Sequence, residues 1–150
     1  MQVKIKLFHK DAEVPRQATQ FAAGWDVVCT EIVKPWFEGD TIICKLGFGL
    51  HIPDGYKVMF APRSSITNTH LILQNSPCIG DSDFRKEYQL RFKQIPFIDK
   101  YGCFYYKEFP YQLGERIGQL WIEKIIPIEF EVVDEIEETG RGSYGSTGTR

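Results

Sequence analysis

The chain of 150 residues has the length of a single domain and can enclose a sizeable hydrophobic core. Its 18 basic and 20 acidic residues give a formal net charge of −2, which disfavours nucleic-acid binding because affinity for phosphate backbones requires a basic excess. A hydrophobic fraction of 43% excludes a disordered chain, and every apolar run is shorter than the roughly 18 residues of a membrane span.

The dominant sequence period is two, which places apolar and polar side chains on opposite faces of a strand. Val3, Ile5 and Leu7 alternate with lysines at the start of the chain, and a second alternation covers residues 88–93. Further strands are predicted where β-branched and aromatic residues concentrate, at residues 25–33, 41–52, 56–61, 103–109, 116–125 and 128–133. Helical turns are expected at most in residues 15–22 or 65–69. Many short strands predict an all-β barrel or sandwich.

Residues 139–150, with the sequence TGRGSYGSTGTR, differ in composition from the rest of the chain. They are too rich in Gly, Ser and Thr to form a packed element alone. One interpretation is a frayed tail. The other is a segment that becomes ordered over an anionic ligand, with backbone N–H and hydroxyl groups around its oxygens. Composition does not decide between the two.

The cysteines indicate a reducing compartment. The 4 cysteines stand apart with no CxxC pair, and the 3 histidines do not fall at zinc-ligand spacing. The first residues lack the continuous apolar segment of a signal peptide. We therefore expect reduced thiols in a cytoplasmic protein without a structural zinc site.

Three internal segments contain residues suited to chemistry. Arg63, followed by Ser64 and Ser65, offers a fork of donors and two hydroxyls that suit a phosphate. Asp81 lies in a turn-like stretch, where a carboxylate can act as a general base if a water is held beside it. The segment 114–120, GERIGQL, reads by itself as a charged turn before a strand. A P-loop and a nucleophile turn are both absent from the sequence.

In their order along the chain, these segments resemble the motifs of the trimeric dUTPase family. The family has AGYDL-like, PRSG-like, GxIDxDYRGE-like, GERIAQL-like and RGxGGFGSTG-like segments. The corresponding segments here begin with AGWDV at residues 23–27 and end with the tail, so that the resemblance spans residues 24–148. The stretch LHIPDGY at residues 50–56 also resembles the family's strand before its second motif.

The resemblance implies a jelly-roll-like β-barrel over residues 1–138 and a C-terminal arm, 139–150, that closes over the active site. It implies a homotrimer with three active sites, each built from residues of all three chains. The implied reaction is the hydrolysis of dUTP to dUMP and pyrophosphate with Mg²⁺ on the triphosphate. No nucleic-acid or membrane partner is expected.

The resemblance also assigns residue roles at the reacting and phosphate ends of the substrate. Asp81 is expected to activate the water that attacks the α-phosphorus, and Asp26 to hold waters of the Mg²⁺ shell. The residues expected to bind the phosphates are Arg63, Ser64, Ser65 and Gln119, with Arg141 at the γ-phosphate and Gly145, Ser146 and Thr147 wrapping around them.

The remaining roles concern the nucleoside. Asn75 and the main chain from Ile79 and Gly80 to about Gln89 are expected to read the uracil edge. Phe84 stands where the family usually has a tyrosine against the deoxyribose, and Tyr144 stands where the tail aromatic stacks over the base.

Several positions depart from the family pattern. Gly80 replaces the usual Ile or Val before the aspartate, while Cys78 and Lys86 replace glycines. Two residues are missing between Arg141 and Tyr144 relative to the commonest tail. The stretch from Phe92 to Tyr111 is longer than usual and dense in aromatics. We expect an extended hairpin there, with barrel or trimer packing as one role and a protein partner or lid as the other.

Two alternative functions remain open. A dCTP deaminase-like enzyme shares the fold, but that family needs a glutamate ten residues beyond the motif-three aspartate, where this chain has Arg91. A nucleotide-binding regulator with little turnover is suggested by the altered third motif and the aromatic insertion. Retention of Asp81 and of the phosphate-binding set argues against it.

Overall fold

Strands dominate the computed structural model, which describes residues 1–35 and 40–142. The described residues contain 12 strands and a single 3-10 helix, Ser64–Asn68. The strands are β1 Lys4–Leu7, β2 Trp25–Val28, β3 Glu31–Val33, β4 Thr41–Lys45, β5 Phe48–His51, β6 Tyr56–Pro62, β7 Leu71–Leu73, β8 Cys78–Gly80, β9 Gln89–Gln94, β10 Phe97–Ile98, β11 Phe104–Tyr105 and β12 Arg116–Lys124. The predicted all-β class is confirmed.

Two four-stranded sheets enclose the core. One has the order β2-β12-β6-β8 and the other β3-β4-β9-β7, while β1 pairs with β5 and β10 with β11. The core contains buried residues of both four-stranded sheets, such as Phe60 and Ile117 from the first and Ile42 and Phe92 from the second. The sheets therefore pack face to face, as in a jelly-roll sandwich.

The period-two pattern accounts for the strand that lies nearest the candidate site. In β9, Leu90, Phe92 and Gln94 are buried, whereas Lys93 is exposed and Arg91 is half-buried. This alternation sets the register of β9 against β4, where Cys44 lies opposite Leu90.

Turns divide two of the predicted strands. The run 41–52 breaks at Gly47, which has φ +72°, and a Cβ there would lie 2.6 Å from the Cβ of Ala12. The turn therefore requires glycine. The run 25–33 breaks at Thr30, whose hydroxyl donates to the carbonyl of Lys45.

Other expectations hold only in part. Strands β7 and β8 were not expected from the pattern. Residues 128–133 form no strand within the described part of the chain, although Ile128, Phe130 and Val132 alternate with glutamates. A strand needs a hydrogen-bonding neighbour, and none of the described residues pairs with this segment.

The insertion at 92–111 does form a hairpin, from β10 and β11. The carboxylate of Asp99 accepts hydrogen bonds from the amides of Tyr101 and Cys103, at 2.8 and 2.9 Å, and so closes the turn. The chain then returns to the core, where Phe109 packs against Phe92. Within residues 1–35 and 40–142, no helix combines the length and the apolar character needed to cross a bilayer.

Candidate functional site

A crevice of about 210 Å³ opens between β8 and β9, which belong to different sheets. The residues around it come from β7, β8, the loop 81–87 and β9. Among its lining residues are six that the sequence assigns to the site: Asn75, Ile79, Gly80, Asp81, Phe84 and Gln89. The described residues that the sequence assigns to the nucleoside and to catalysis therefore converge on one cavity.

The loop that follows β8 is held by its own main chain. The amide of Phe84 donates to the carbonyl of Asp81 at 3.2 Å, which makes a turn. The guanidinium of Arg85 donates to the carbonyls of Ser82 and Phe84. The side chain of Asp81 is exposed, and within the described chain its carboxylate takes part in no hydrogen bond or ion pair. It is therefore available to a ligand or a water.

A second cluster forms around Asp26 on β2, whose side chain is 6% exposed. One carboxylate oxygen accepts a hydrogen bond of 3.1 Å from Gln119 on β12, and the other accepts one of 3.0 Å from Arg116. Arg63, which follows β6, places its Nε 3.7 Å from the first oxygen. Strand β12 lies between β2 and β6, so that sheet pairing brings these distant segments together.

This cluster carries a net positive charge. The single carboxylate of Asp26 faces two guanidinium groups, and the side chains of Arg63 and Arg116 are both partly exposed. Ser64 and Ser65 follow Arg63 in the 3-10 helix and are exposed. An excess cation with neighbouring hydroxyls is a suitable surface for phosphate oxygens.

Sheet register separates the two clusters within one chain. Gly80 lies opposite Val58 near the start of β6, whereas Arg63 follows the end of that strand. Five residues of extended chain span about 17 Å. Asp81 and Arg63 of the same chain therefore lie too far apart to meet on one phosphate group.

Asp26, which the sequence assigns to waters of a Mg²⁺ shell, keeps that role as a prediction, since each of its oxygens accepts one hydrogen bond and has capacity for a further one. Both of its oxygens accept hydrogen bonds from Gln119 and Arg116, and its side chain is buried beside two cationic groups. No group of three or more His, Cys, Asp or Glu residues with metal-binding geometry occurs in the described part of the chain. In this arrangement Asp26 orients the two arginines and Gln119.

Comparison with known proteins agrees with the arrangement of these motifs. The dUTPase family profile matches residues 10–149. Over 99% of its length the chain is 31% identical to a Helicobacter pylori (strain Shi470) protein named deoxyuridine 5'-triphosphate nucleotidohydrolase, of which it covers 97%. The chain belongs to the dUTPase family.

Solved dUTPases have the same fold. The dUTPase of Staphylococcus bacteriophage 80alpha, solved with dUPNHPP, is 23% identical with a TM-score of 0.76, and the match covers 98% of each chain. A dUTPase variant from phage phi11 of S. aureus, described with a structural Mg(II) ion, is 20% identical with a TM-score of 0.67, covering 92% of this chain and 100% of that one. These likenesses establish the jelly-roll fold of the dUTPase type.

The tail residues of this dUTPase family member are only partly described. Arg141 is exposed, and residues 125–142 contain no strand. Tyr144, Gly145, Ser146 and Thr147, which were assigned to the base and the phosphates, lie outside the described residues. Their roles stay predictions.

Sequence reasoning missed two residues that the structure places in the clusters. Arg116 belongs to the GERIGQL segment, and its position at the start of the predicted strand that becomes β12 was the available signal for pairing with Asp26. Tyr88 lines the crevice and is 5% exposed. It was interpreted only as a core-facing residue of a strand, and nothing in the local sequence marks its contact with Gly80 on another sheet.

Proposed function

We propose that this dUTPase family member hydrolyses dUTP to dUMP and pyrophosphate. The observation that carries the proposal is the convergence of the six assigned residues on the crevice between β8 and β9. The reaction also needs a site for the phosphates, and the positively charged cluster that contains Arg63 and Gln119 supplies one.

The crevice suits a flat pyrimidine. Strand β8 is the edge strand of its sheet, so no strand among the described residues pairs with the main-chain groups on its outer side. Fixed main-chain donors and acceptors distinguish uracil from cytosine, because cytosine presents a donor where uracil presents an acceptor and leaves buried groups unpaired. Asn75 contributes a side-chain amide at the same opening, and Phe84 faces the deoxyribose.

Asp81 is the group best placed to activate water. Its exposed carboxylate accepts the proton of a water whose oxygen bonds to the α-phosphorus, while the bond from that phosphorus to the bridging oxygen breaks and pyrophosphate leaves. Arg63, Ser64, Ser65 and Gln119 hold the phosphate oxygens. Since Asp81 follows Gly80 opposite the start of β6 and Arg63 follows the end of that strand, at least about 17 Å of strand separates them in one chain, and the two halves of a site come from different copies.

The protein is proposed to act as a homotrimer. Residues 125–136 expose several large apolar side chains, including Ile126, Phe130 and Val132, at 78%, 89% and 97%. An apolar groove of about 480 Å³ lies near the N-terminus and is lined by residues such as Ile5, Leu120 and Ile122. Exposed apolar segments and grooves of this size are typical of interfaces between subunits.

Three further parts of the proposal extend the comparison with the family. Mg²⁺ would accompany the triphosphate and offset its negative charge, and Asp26 would hold waters of its shell. The arm 139–150 closes over the phosphates, with Arg141 at the γ-phosphate. Free thiols at all four cysteines fit a cytoplasmic enzyme.

The test measures release of pyrophosphate and of ammonia from dUTP, dCTP, dTTP and UTP, with Mg²⁺ and with EDTA, together with the affinity for dUTP. Turnover of dUTP in preference to the other three, lost in EDTA, is the expected result. Turnover of dCTP with release of ammonia would favour the deaminase-like alternative. Tight binding of dUTP without turnover would overturn hydrolysis and favour a nucleotide-binding regulator.

A further inference from the structure

Tyr88 crosses the base of the crevice from one sheet to the other. Its main chain is hydrogen-bonded to β5, where the amide of Tyr88 donates to the carbonyl of Phe48 at 3.0 Å. Its ring reaches Gly80 on β8, in the opposite sheet: a Cβ at Gly80 would lie 2.8 Å from its Cε1 and 2.9 Å from its hydroxyl oxygen. The ring therefore closes the crevice from below, and this crossing requires glycine at position 80.

Three neighbouring aromatic rings fix the orientation of the Tyr88 ring. Its centroid lies 4.9 Å from that of Phe60 and 6.1 Å from that of Phe48, both in the core. On the outer side it lies 5.0 Å from the ring of Phe84, which is half-exposed at the crevice. Tilted contacts at these distances are favourable. The phenol is thus held in one direction, with its oxygen beside Gly80.

The hydroxyl is the unusual feature of this residue. It is buried, and it has no hydrogen-bond partner among the described residues. A buried hydroxyl without a partner destabilises the folded protein, so a phenylalanine here would pack equally well without that cost. Burial raises the pKa of Tyr88 to about 12, which keeps the phenol protonated and able to donate.

We propose that Tyr88 is a further substrate-positioning residue, whose ring forms the floor of the crevice and whose hydroxyl hydrogen-bonds to the pyrimidine of the bound nucleotide. This inference rests on the proposed function of the same crevice. The hydroxyl, which is buried beside Gly80 without a partner among the described residues, finds one only when the base enters the crevice. The polar atom is therefore retained for binding and not for stability.

The decisive variant is Y88F, which removes only the hydroxyl. The matched control is Y56F, because Tyr56 packs at the edge of the same core and does not line the crevice.

The measurements are kcat and KM for dUTP, the Kd of a non-hydrolysable dUTP analogue, and the melting temperature of the free protein at matched concentration. For Y88F we expect KM and Kd to rise by about 3- to 10-fold, the loss of one neutral hydrogen bond, with kcat unchanged. The melting temperature of the free protein is expected to stay equal or rise.

A purely structural role would give a different pattern. If Y88F lowers the melting temperature of the free protein, the hydroxyl already has a partner there and the inference is wrong. Unchanged Kd and KM would also overturn it.

The outcomes separate this inference from the proposed function. If the wild type hydrolyses dUTP and Y88F binds the analogue as the wild type does, only the inference fails. If the wild type binds the analogue without turning over dUTP, hydrolysis fails and the comparison of Kd values still decides the role of Tyr88. If the wild type does not bind the analogue, both fail.

Discussion

Gln119 donates a hydrogen bond of 3.1 Å to the carboxylate of Asp26, across the neighbouring strands β12 and β2. The two residues belong to the fourth and first motifs and lie 93 positions apart. The other oxygen of Asp26 is bonded to Arg116. The Asp26 carboxylate thus orients the side chains of Gln119, Arg116 and Arg63, and the loss of its charge would disturb all three.

We expect D26N to lower the free energy of unfolding by about 1–3 kcal/mol, because an amide turns a donor toward the guanidinium of Arg116 and leaves Arg63 without its anion. Urea unfolding monitored by fluorescence measures this change. D54N, at an exposed turn, is the control and is expected to unfold like the wild type. Equal stability of D26N and D54N would show that the cluster contributes nothing to the fold.

The sequence predicts the crevice well because most of its residues are close together along the chain. Asn75 to Gln89 fall in one short stretch, and a single hairpin-like loop brings them to one opening. The strands of the core follow from period-two alternation, as in β9. What local pattern misses is contact between segments far apart, such as Arg116 with Asp26 at a separation of 90 residues.

The run 128–133 shows the same limitation from the opposite side. Ile128, Phe130 and Val132 alternate with glutamates as in a strand, yet the described chain offers them no neighbouring strand. The alternation of apolar and polar residues indicates which side chains of a strand would share a face. Whether a strand forms also depends on a free sheet edge to pair with, and the local sequence does not locate that edge. The ring of Tyr88 over Gly80 is a further case, since it joins two sheets.

D81N is expected to abolish most dUTP hydrolysis while leaving binding largely intact. An amide accepts no proton from the attacking water, and the loss of a general base lowers kcat by about 10²- to 10⁴-fold. D83N provides a control in the same exposed loop, and we expect its kcat to stay near that of the wild type. Equal kcat for D81N and the wild type would remove Asp81 from the mechanism.

A mixing experiment tests whether the site is shared between copies. R63Q and D81N are each expected to be inactive, and unfolding and refolding them together at equal amounts should restore about one quarter of the wild-type activity, because each intact residue is then present on half of the chains. R63Q mixed with the double variant R63Q/D81N is the control and should stay inactive. If the R63Q and D81N mixture also stays inactive, Arg63 and Asp81 act within one chain.

Tyr88 also predicts a dependence of stability on alkaline pH. An unfolded tyrosine ionises near pH 10, whereas burial raises the pKa of Tyr88 to about 12 in the folded protein. Its contribution is therefore fully present below about pH 10 and is lost as the pH rises through about 12, since the unfolded chain releases its proton first. Comparing wild type and Y88F by urea unfolding should show the wild type losing stability relative to Y88F across this range. Parallel curves would mean that the Tyr88 phenol titrates normally.

Assembly is expected to depend on the exposed apolar residues after β12. Phe130 is 89% exposed in the single chain, so a charge there costs the isolated subunit little, whereas at a subunit contact an unpaired buried carboxylate is strongly unfavourable. F130D should therefore reduce the assembled mass measured by analytical ultracentrifugation and lower dUTP hydrolysis with it. E131Q, one position along on the alternate face, should keep both. An F130D protein that keeps its full assembled mass would place residues 128–133 outside the subunit interface.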